Sequence, residues 1–394
     1  MMVPGISSRD PVILCLSHLR WDFVFQRPHH ILTRAANTYR VYFVEEPVTA
    51  DSGAKQRVRF EQRGGVTVVV PVLPPVITPG EAADAQRGII DRIMRGHRGA
   101  PIILWYYTPM ALAFSDHLTP DLCVYDCMDE LSAFLGAPSA MTSFETRLFG
   151  RADLVFTGGP SLYEAKRRWH LDVHAFPSSI DRAHFAVARD RQLREPPDQA
   201  PVAHPRVGYF GVIDERMDLD LVARLAAIRP EWHFVFLGPV AKIDPALLPK
   251  AANLYWLGPK RYEDLPAYLQ GWDAGIMPFA LNAATRYISP TKTPEYLAAG
   301  VPVVSTPIRD VIALYGDQGL VEIAATAETM ATAVERYLKR DRAPWRSAID
   351  RKLDGQSWDR TWAAMNALIT RRLRPSAAAV VAPVRHAPPR PVEV

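Results

Sequence analysis

The chain has 394 residues, 48% hydrophobic and 22% charged, with a formal net charge of +4 and a pI near 8.9. That length suffices for two full domains, and the charge is too weakly basic to argue for nucleic acid as a partner. Three cysteines, Cys15, Cys123 and Cys127, form no CxxC pair and no zinc-type His/Cys set; buried free thiols in a reducing compartment are expected.

Taken in order, Val12 to Leu16 is an apolar run of strand length and the expected first strand. It leads into a loop, Ser17 to Gln26, whose His18, Trp21 and neighbouring Arg27 stand where the first β–α loop of a parallel α/β fold opens onto a crevice. Core packing is the competing role for Trp21. Pro28 predicts a helix start. Further strands are expected at Val41 to Val44, Val66 to Val70, Pro101 to Trp105, Asp121 to Tyr125, Ala152 to Phe156 and Val173 to Phe176, with helices over 81–94, 139–149 and 160–169 between them. Residues 49–64 read as polar loop. Glu45 and Glu46 close one strand, where capping a loop is the commoner role. Asp126 closes another and is a candidate ligand contact, with capping of the following turn as the competing role. This alternation predicts a parallel sheet covered on both faces.

Residues 187–205, rich in Arg, Pro, Gln and Asp, read as a linker. A second alternation follows: strands at Arg206 to Phe210, His233 to Leu237, Asn253 to Trp256 and Ala274 to Met277, a short strand near 320–323, and helices over 217–228, 262–270, 310–315, 327–338 and 358–373. Glycines recur at the strand exits Gly211, Gly238 and Gly258. The expected division is 1–186 and 206–357 for the two domains, 358–373 for a helix crossing back to the first, and 374–394 for a disordered Pro/Ala/Arg tail.

The most informative stretch is Arg286 to Ser305. A short amphipathic helix ends at Gly300, a residue suited to the position beyond a helix C-terminus, and Val301 to Val304 reads as a buried strand. Ahead of the helix, Ser289 to Pro294 offers a cap and exposed amides suited to an anion, and Lys292 adds a positive charge. Pro294 favours Thr293 as the cap, or an irregular first turn. An ordinary helix–strand joint, with Lys292 and Glu295 merely solvated, is the competing reading.

Several chemistries are disfavoured. No GxGxxG follows a first strand, no GxxxxGK[ST] loop marks an ATPase, and no GxSxG elbow marks a hydrolase. No run of 18 apolar residues predicts a membrane span, and the N-terminus lacks a signal-type apolar core. A cytoplasmic location is expected, with peripheral attachment to the inner face of the cell membrane left open.

The sequence resembles glycosyltransferases of the GT-B fold, in particular the retaining group 1 (family 4-like) enzymes of bacterial polysaccharide and teichuronic-acid-type pathways. The carrying segments include Trp21-Asp-Phe-Val-Phe-Gln-Arg-Pro-His-His30, Phe43-Val-Glu-Glu-Pro47, Val124-Tyr-Asp-Cys127, Val207-Gly-Tyr-Phe-Gly211 and Ile276-Met-Pro-Phe279. The most specific is the run Pro290-x-Lys292-x-x-Glu295-Tyr-Leu-Ala-Ala-Gly300-x-Pro-Val-Val304, and the likeness spans about residues 10–370. It implies two Rossmann-like domains with parallel sheets facing across an interdomain cleft. The implied partners are a UDP-, GDP- or dTDP-sugar donor and a saccharide or lipid-linked acceptor, with no cofactor and no metal.

By this resemblance Glu295 holds the donor ribose and Lys292 lies by the diphosphate. Arg216 is a possible member of the cation pair, and Tyr287 stands where relatives carry a first, sugar-contacting glutamate. Ser178 and Ser179 replace a common Asn-Gly. Candidate catalytic residues are Lys292, His18 and Asp126. Candidate donor-binding residues are Glu295, Lys292, Arg286, Tyr287, Thr291, Gly211, Arg216, Leu257, Gly258 and Asn282. The alternatives are a sugar-nucleotide epimerase on the same fold and a non-catalytic partner in polysaccharide assembly, the latter prompted by Tyr287.

Overall fold

The computed structural model describes residues 10–51 and 56–373. The expected tail, 374–394, lies outside them. Nine strands build the first sheet: β1 (Val12–Leu16), β2 (Arg40–Val44), β3 (Val48–Thr49), β4 (Arg57–Arg63), β5 (Val66–Leu73), β6 (Ile102–Tyr106), β7 (Leu122–Cys127), β8 (Leu154–Thr157) and β9 (Val173–Ala175). Their order is β3-β5-β2-β1-β6-β7-β8-β9, all parallel, with β4 antiparallel on β5.

Strand β4 is a departure from the expected polar loop. Arg57-Val-Arg-Phe-Glu-Gln-Arg63 carries too little apolar character to read as a strand, and pairing with β5 through a turn at Gly64–Gly65 supplies the missing order. Along β1 the side chains divide by parity. Ile13 and Cys15 face one core with Phe43, Trp105 and Phe156, whereas Leu14 and Leu16 face the other with Tyr106, Cys123 and Val155. All three cysteines are free and buried.

The second sheet holds β10 (Arg206–Phe210), β11 (His233–Leu237), β12 (Leu254–Trp256), β13 (Ala274–Met277), β14 (Val303–Ser305) and β15 (Glu322–Ile323). It is wholly parallel, in the order β12-β11-β10-β13-β14-β15. In both sheets the strand order reverses beside the first strand, at β1/β6 and at β10/β13, the places where α/β sheets open a crevice.

Two segments tie the halves together. The helix Trp358–Leu373 packs on the first sheet: Trp358 stacks on His30 at 4.5 Å between ring centroids, and Trp362 joins the core with Trp105. Residues 187–205 are docked more closely than a free linker. Arg189 donates to the carbonyl oxygens of Leu297 (3.1 Å) and Ala298 (2.6 Å) and pairs with Asp350 (2.8 Å). Those carbonyls belong to the last turn of a helix, where a cation is favourable. Asp350 lies on Ala343–Leu353, a helix the sequence reading passed over. Among the described residues no helix is long and apolar enough to cross a membrane.

Candidate functional site: a cationic cleft between two sheets

The loops leaving the strand C-terminal ends of both sheets converge on a cavity of about 220 Å3. From the first sheet come Phe23 to Arg27, Met128, Asp129, Gly158 and Ser178. From the second come Tyr209 to Val212, Arg216, the 237–239 and 259–262 turns, and Ile288 to Lys292 with Glu295. Phe25 stacks on Tyr262 at 4.3 Å and closes one wall across the cleft. His184 covers the other face of Tyr262 at 4.5 Å.

The helix beside the cavity runs Lys292–Ala299 and ends at Gly300 in the left-handed conformation (φ 75°), as its sequence requires. Its N-cap is Thr291, not Thr293. Pro294 therefore falls at the third helical position, where a backbone N–H has no intrahelical acceptor, so the missing donor costs nothing. The Thr291 side chain makes no capping bond, and Thr291 and Lys292 line the cavity at the helix start.

Lys292 lies flat against Gly211. A Cβ built on Gly211 would sit 2.0 Å from Lys292 Cε, and Gly211 has φ +129°, so the residue is needed for both space and conformation. The Lys292 ammonium stands 5.5 Å from the Tyr209 ring and 5.8 Å from the Phe279 ring. Among the described residues it has no hydrogen bond or ion pair. Burial, aided by the Arg216 charge, lowers its pKa to about 8.

Glu295 is 7% exposed, and burial pushes its carboxyl up to about 8 against the pull of Lys292. Burial thus draws both members of the pair toward neutrality, while each favours the other's charged form. Tyr262 Oη is buried with no hydrogen-bond partner among the described residues, and the phenol is held well above its ordinary range by burial and by the Glu295 charge.

Arg216 is fixed by a two-pronged contact with Asp214: Nε to Oδ1 at 3.0 Å and Nη2 to Oδ2 at 2.6 Å. Burial opposes its charge, but the hydrogen bonds and charge of Asp214 outweigh burial and keep the guanidinium charged.

Lys292, Glu295, Thr291, Gly211 and Arg216 are thus brought together. Other candidates lie elsewhere. Asp126 falls inside β7 rather than at its exit, is fully enclosed, and pairs with Arg27 through Oδ1–Nη2 at 3.0 Å and Oδ2–Nε at 3.2 Å. Arg27 in turn donates to the Phe176 carbonyl at 2.7 Å and lines the cavity.

His18 is outside the lining, with Nδ1 buried and without a hydrogen-bond partner among the described residues. Burial and the Lys242 charge lower its pKa to about 4, so the ring is neutral near pH 7 and offers a phosphate no charge. Leu257 and Gly258 have little backbone left for a base. Leu257 N–H is spent on β11, its carbonyl takes Lys260 Nζ at 2.6 Å, and the Gly258 carbonyl takes the Gly238 N–H at 2.9 Å.

Asn282 and Arg286 line a separate shallow groove with Arg309, where the Asn282 side chain serves to shape the turn to Thr285. Tyr287 packs against the first sheet's core, under the Arg286 guanidinium at 5.4 Å. Sequence reasoning singled out neither Asp129, Tyr262 nor Phe25. For Tyr262 and Lys260 the signal was present, a Gly-Pro turn at the end of β12.

Among the described residues no group of three or more His, Cys, Asp or Glu side chains is placed to hold a metal ion. Two parallel sheets with their crevices opposed define the GT-B architecture. The chain superposes over 92% of its length on sucrose-phosphate synthase from Thermosynechococcus elongatus (TM-score 0.70, 15% identity, 99% of that chain). It superposes equally widely on an E. coli trehalose-6-phosphate protein bound with UDP-2-fluoro glucose (TM-score 0.67, 12% identity, 99% of that chain). The catalytic domain of starch synthase IV from Arabidopsis thaliana, bound to ADP and acarbose, gives a TM-score of 0.64 at 11% identity, covering 92% of this chain and 99% of that one.

Residues 204–340 match the family model described as Glycosyl transferases group 1. A Bacillus subtilis (strain 168) protein named as a teichuronic acid biosynthesis glycosyltransferase, TuaH, is 25% identical over 292 residues, 69% of this chain and 68% of that protein. The chain is a GT-B protein related to the group 1 glycosyltransferases.

Proposed function

We propose that this protein transfers a sugar from a nucleotide-diphosphate sugar to a saccharide or lipid-linked acceptor, with retention of anomeric configuration. The observation that carries the reading is the Lys292 ammonium, half-buried against Gly211 and beside Arg216 at a helix start in the cleft, with no carboxylate in ion-pair contact among the described residues. Burying a lysine this way costs stability, and an anionic ligand offsets that cost. A diphosphate fits the slot: two cations and the helix amides would stabilise the negative charge that grows on it as the glycosidic bond breaks.

Glu295, which lines the cavity together with Tyr262, is the natural acceptor for ribose hydroxyls, and the Phe25–Tyr262 stack walls off part of the same cavity. Two of the superposed structures hold UDP-2-fluoro glucose and ADP, which supports a sugar nucleotide, and retention is what the sequence resemblance implies. In such a reaction the departing phosphate oxygen can take the acceptor proton on the same face, so no side-chain base is assigned. Closure of the first sheet's loops over the donor would exclude water.

The domain division 1–186 and 206–357 is the frame for this motion, with the docked 187–205 segment and the Trp358–Leu373 helix restraining it. Saccharide assembly for the cell envelope is the pathway class that the TuaH likeness favours.

A thermal-shift screen over UDP-, GDP- and dTDP-sugars tests the reading. One nucleotide series should raise the melting temperature saturably, and the best donor should then release its nucleoside diphosphate. No shift with any series would overturn the proposal.

A further inference from the structure

Two carboxylates line the cleft cavity, Glu295 from the second sheet and Asp129 from the first. Asp129 follows β7 by two residues and is half-buried. Among the described residues its carboxylate has no direct hydrogen bond or ion pair. It shares the lining with Arg216 and Lys292.

The loop beyond it is held down on Arg216 and on a third cation, Lys242. Leu135 N–H donates to Glu215 Oε1 at 3.3 Å. The Phe134 ring has the Arg216 guanidinium 5.3 Å and the Lys242 ammonium 4.7 Å from its centroid. Burial raises the Asp129 carboxyl above the ordinary range, while the charges of Arg216, Lys242 and Lys292 work the other way. First-domain chain thus places a lone carboxylate and an aromatic face on the patch where the proposed function puts a diphosphate.

We propose that Asp129 is an internal counter-anion of the donor site: it competes with the diphosphate for Arg216 and Lys292, and so limits donor affinity and hastens release of the nucleoside diphosphate product. This rests on the reading of the cleft as a sugar-nucleotide site. The Asp129 carboxylate repels a diphosphate beside Arg216 and Lys292, so movement of Asp129 and its loop away relieves that repulsion on donor entry, and the return of the loop helps to expel the product. Asp129 is in this sense a positioning residue for the exchange of donor and product.

The test is calorimetric titration of the full chain with UDP, GDP and dTDP, each alone, comparing wild type with Asp129→Asn and Asp129→Ser, and stopped-flow displacement to read the off rate. The surface variant Asp22→Asn, whose carboxylate pairs with Arg63 outside the cavity, controls for a general change of charge. Both Asp129 variants should bind the preferred nucleotide about tenfold tighter, with most of the gain in a slower off rate; Asp22→Asn should bind as wild type does.

A merely structural Asp129 would alter the melting temperature and leave the dissociation constant unchanged or weaker, and that result overturns the inference while sparing the sugar-nucleotide reading. A wild type that binds none of the three nucleotides overturns both.

Discussion

Lys292 is the side chain on which most of the account turns, and Lys292→Met isolates its charge. Methionine is of similar length and apolar, so it can lie against Gly211, Tyr209 and Phe279 as the lysine stem does. A charge-assisted hydrogen bond contributes about 1.5–3 kcal/mol, so loss of the ammonium should weaken nucleoside diphosphate binding by roughly 10- to 150-fold. The fold should respond in the opposite sense. Burial lowers the lysine pKa to about 8, the mark of a charge held at a cost. Removing it should stabilise the protein by about 1–3 kcal/mol, or a few degrees in Tm. Calorimetry and a melting curve on the same samples read both effects. A variant that binds within about twofold of wild type, or that melts below it, would refute the reasoning.

Three further expectations follow from the same geometry. Nucleoside diphosphate affinity should be level below pH 8 and fall above it. A bound anion favours the charged lysine, so the complex keeps its proton to higher pH, while Glu295, raised by burial to about 8, becomes negative over the same range; affinity that is flat or rising from pH 7.5 to 9.5 in a calorimetric series would contradict this. Glu295→Gln should weaken UDP binding by about fivefold while leaving inorganic pyrophosphate unaffected or tighter, because only the ribose contact is lost. Equal losses for both ligands would remove Glu295 from the ribose. Asp126→Ala should cost about 3–5 kcal/mol, leaving Arg27 almost wholly buried with its charge unpaired; a melting temperature unchanged within a degree would show that the pair is not structural.

Much of the architecture was legible because its signals are local. The apolar runs of β1, β6, β7 and β8, and of β10, β11 and β13, stand out by composition, and Gly300 marks a helix end by a conformation few other residues adopt. The same reading passed over β4, whose order comes from pairing with β5 rather than from its own residues, and Ala343–Leu353, where the apolar positions are sparse. At the site, Lys292 and Glu295 were readable because they open the helix after β13, in the run that carries the family resemblance, and Gly211 because it closes β10.

Asp126 and Asp129 show where sequence gives out. Extending β7 two residues past Tyr125 buries the first carboxylate against Arg27 and leaves the second facing the cleft. The sequence marks neither the strand end nor the partner. Asn282, Arg286 and Tyr287 were close in number to the key helix, but the turn at Asn282–Thr285 directs them to a different groove and to the first sheet's core.

The central claim is that the cleft between the two sheets binds a sugar nucleotide by its diphosphate and ribose. A crystal structure with the nucleoside diphosphate that most raises the melting temperature tests it most directly. The account predicts phosphate oxygens within hydrogen-bond reach of Lys292 and Arg216, the ribose hydroxyls on Glu295, and Asp129 moved off the cations. A nucleotide lodged outside this cavity, or one whose phosphates avoid Lys292, would contradict it.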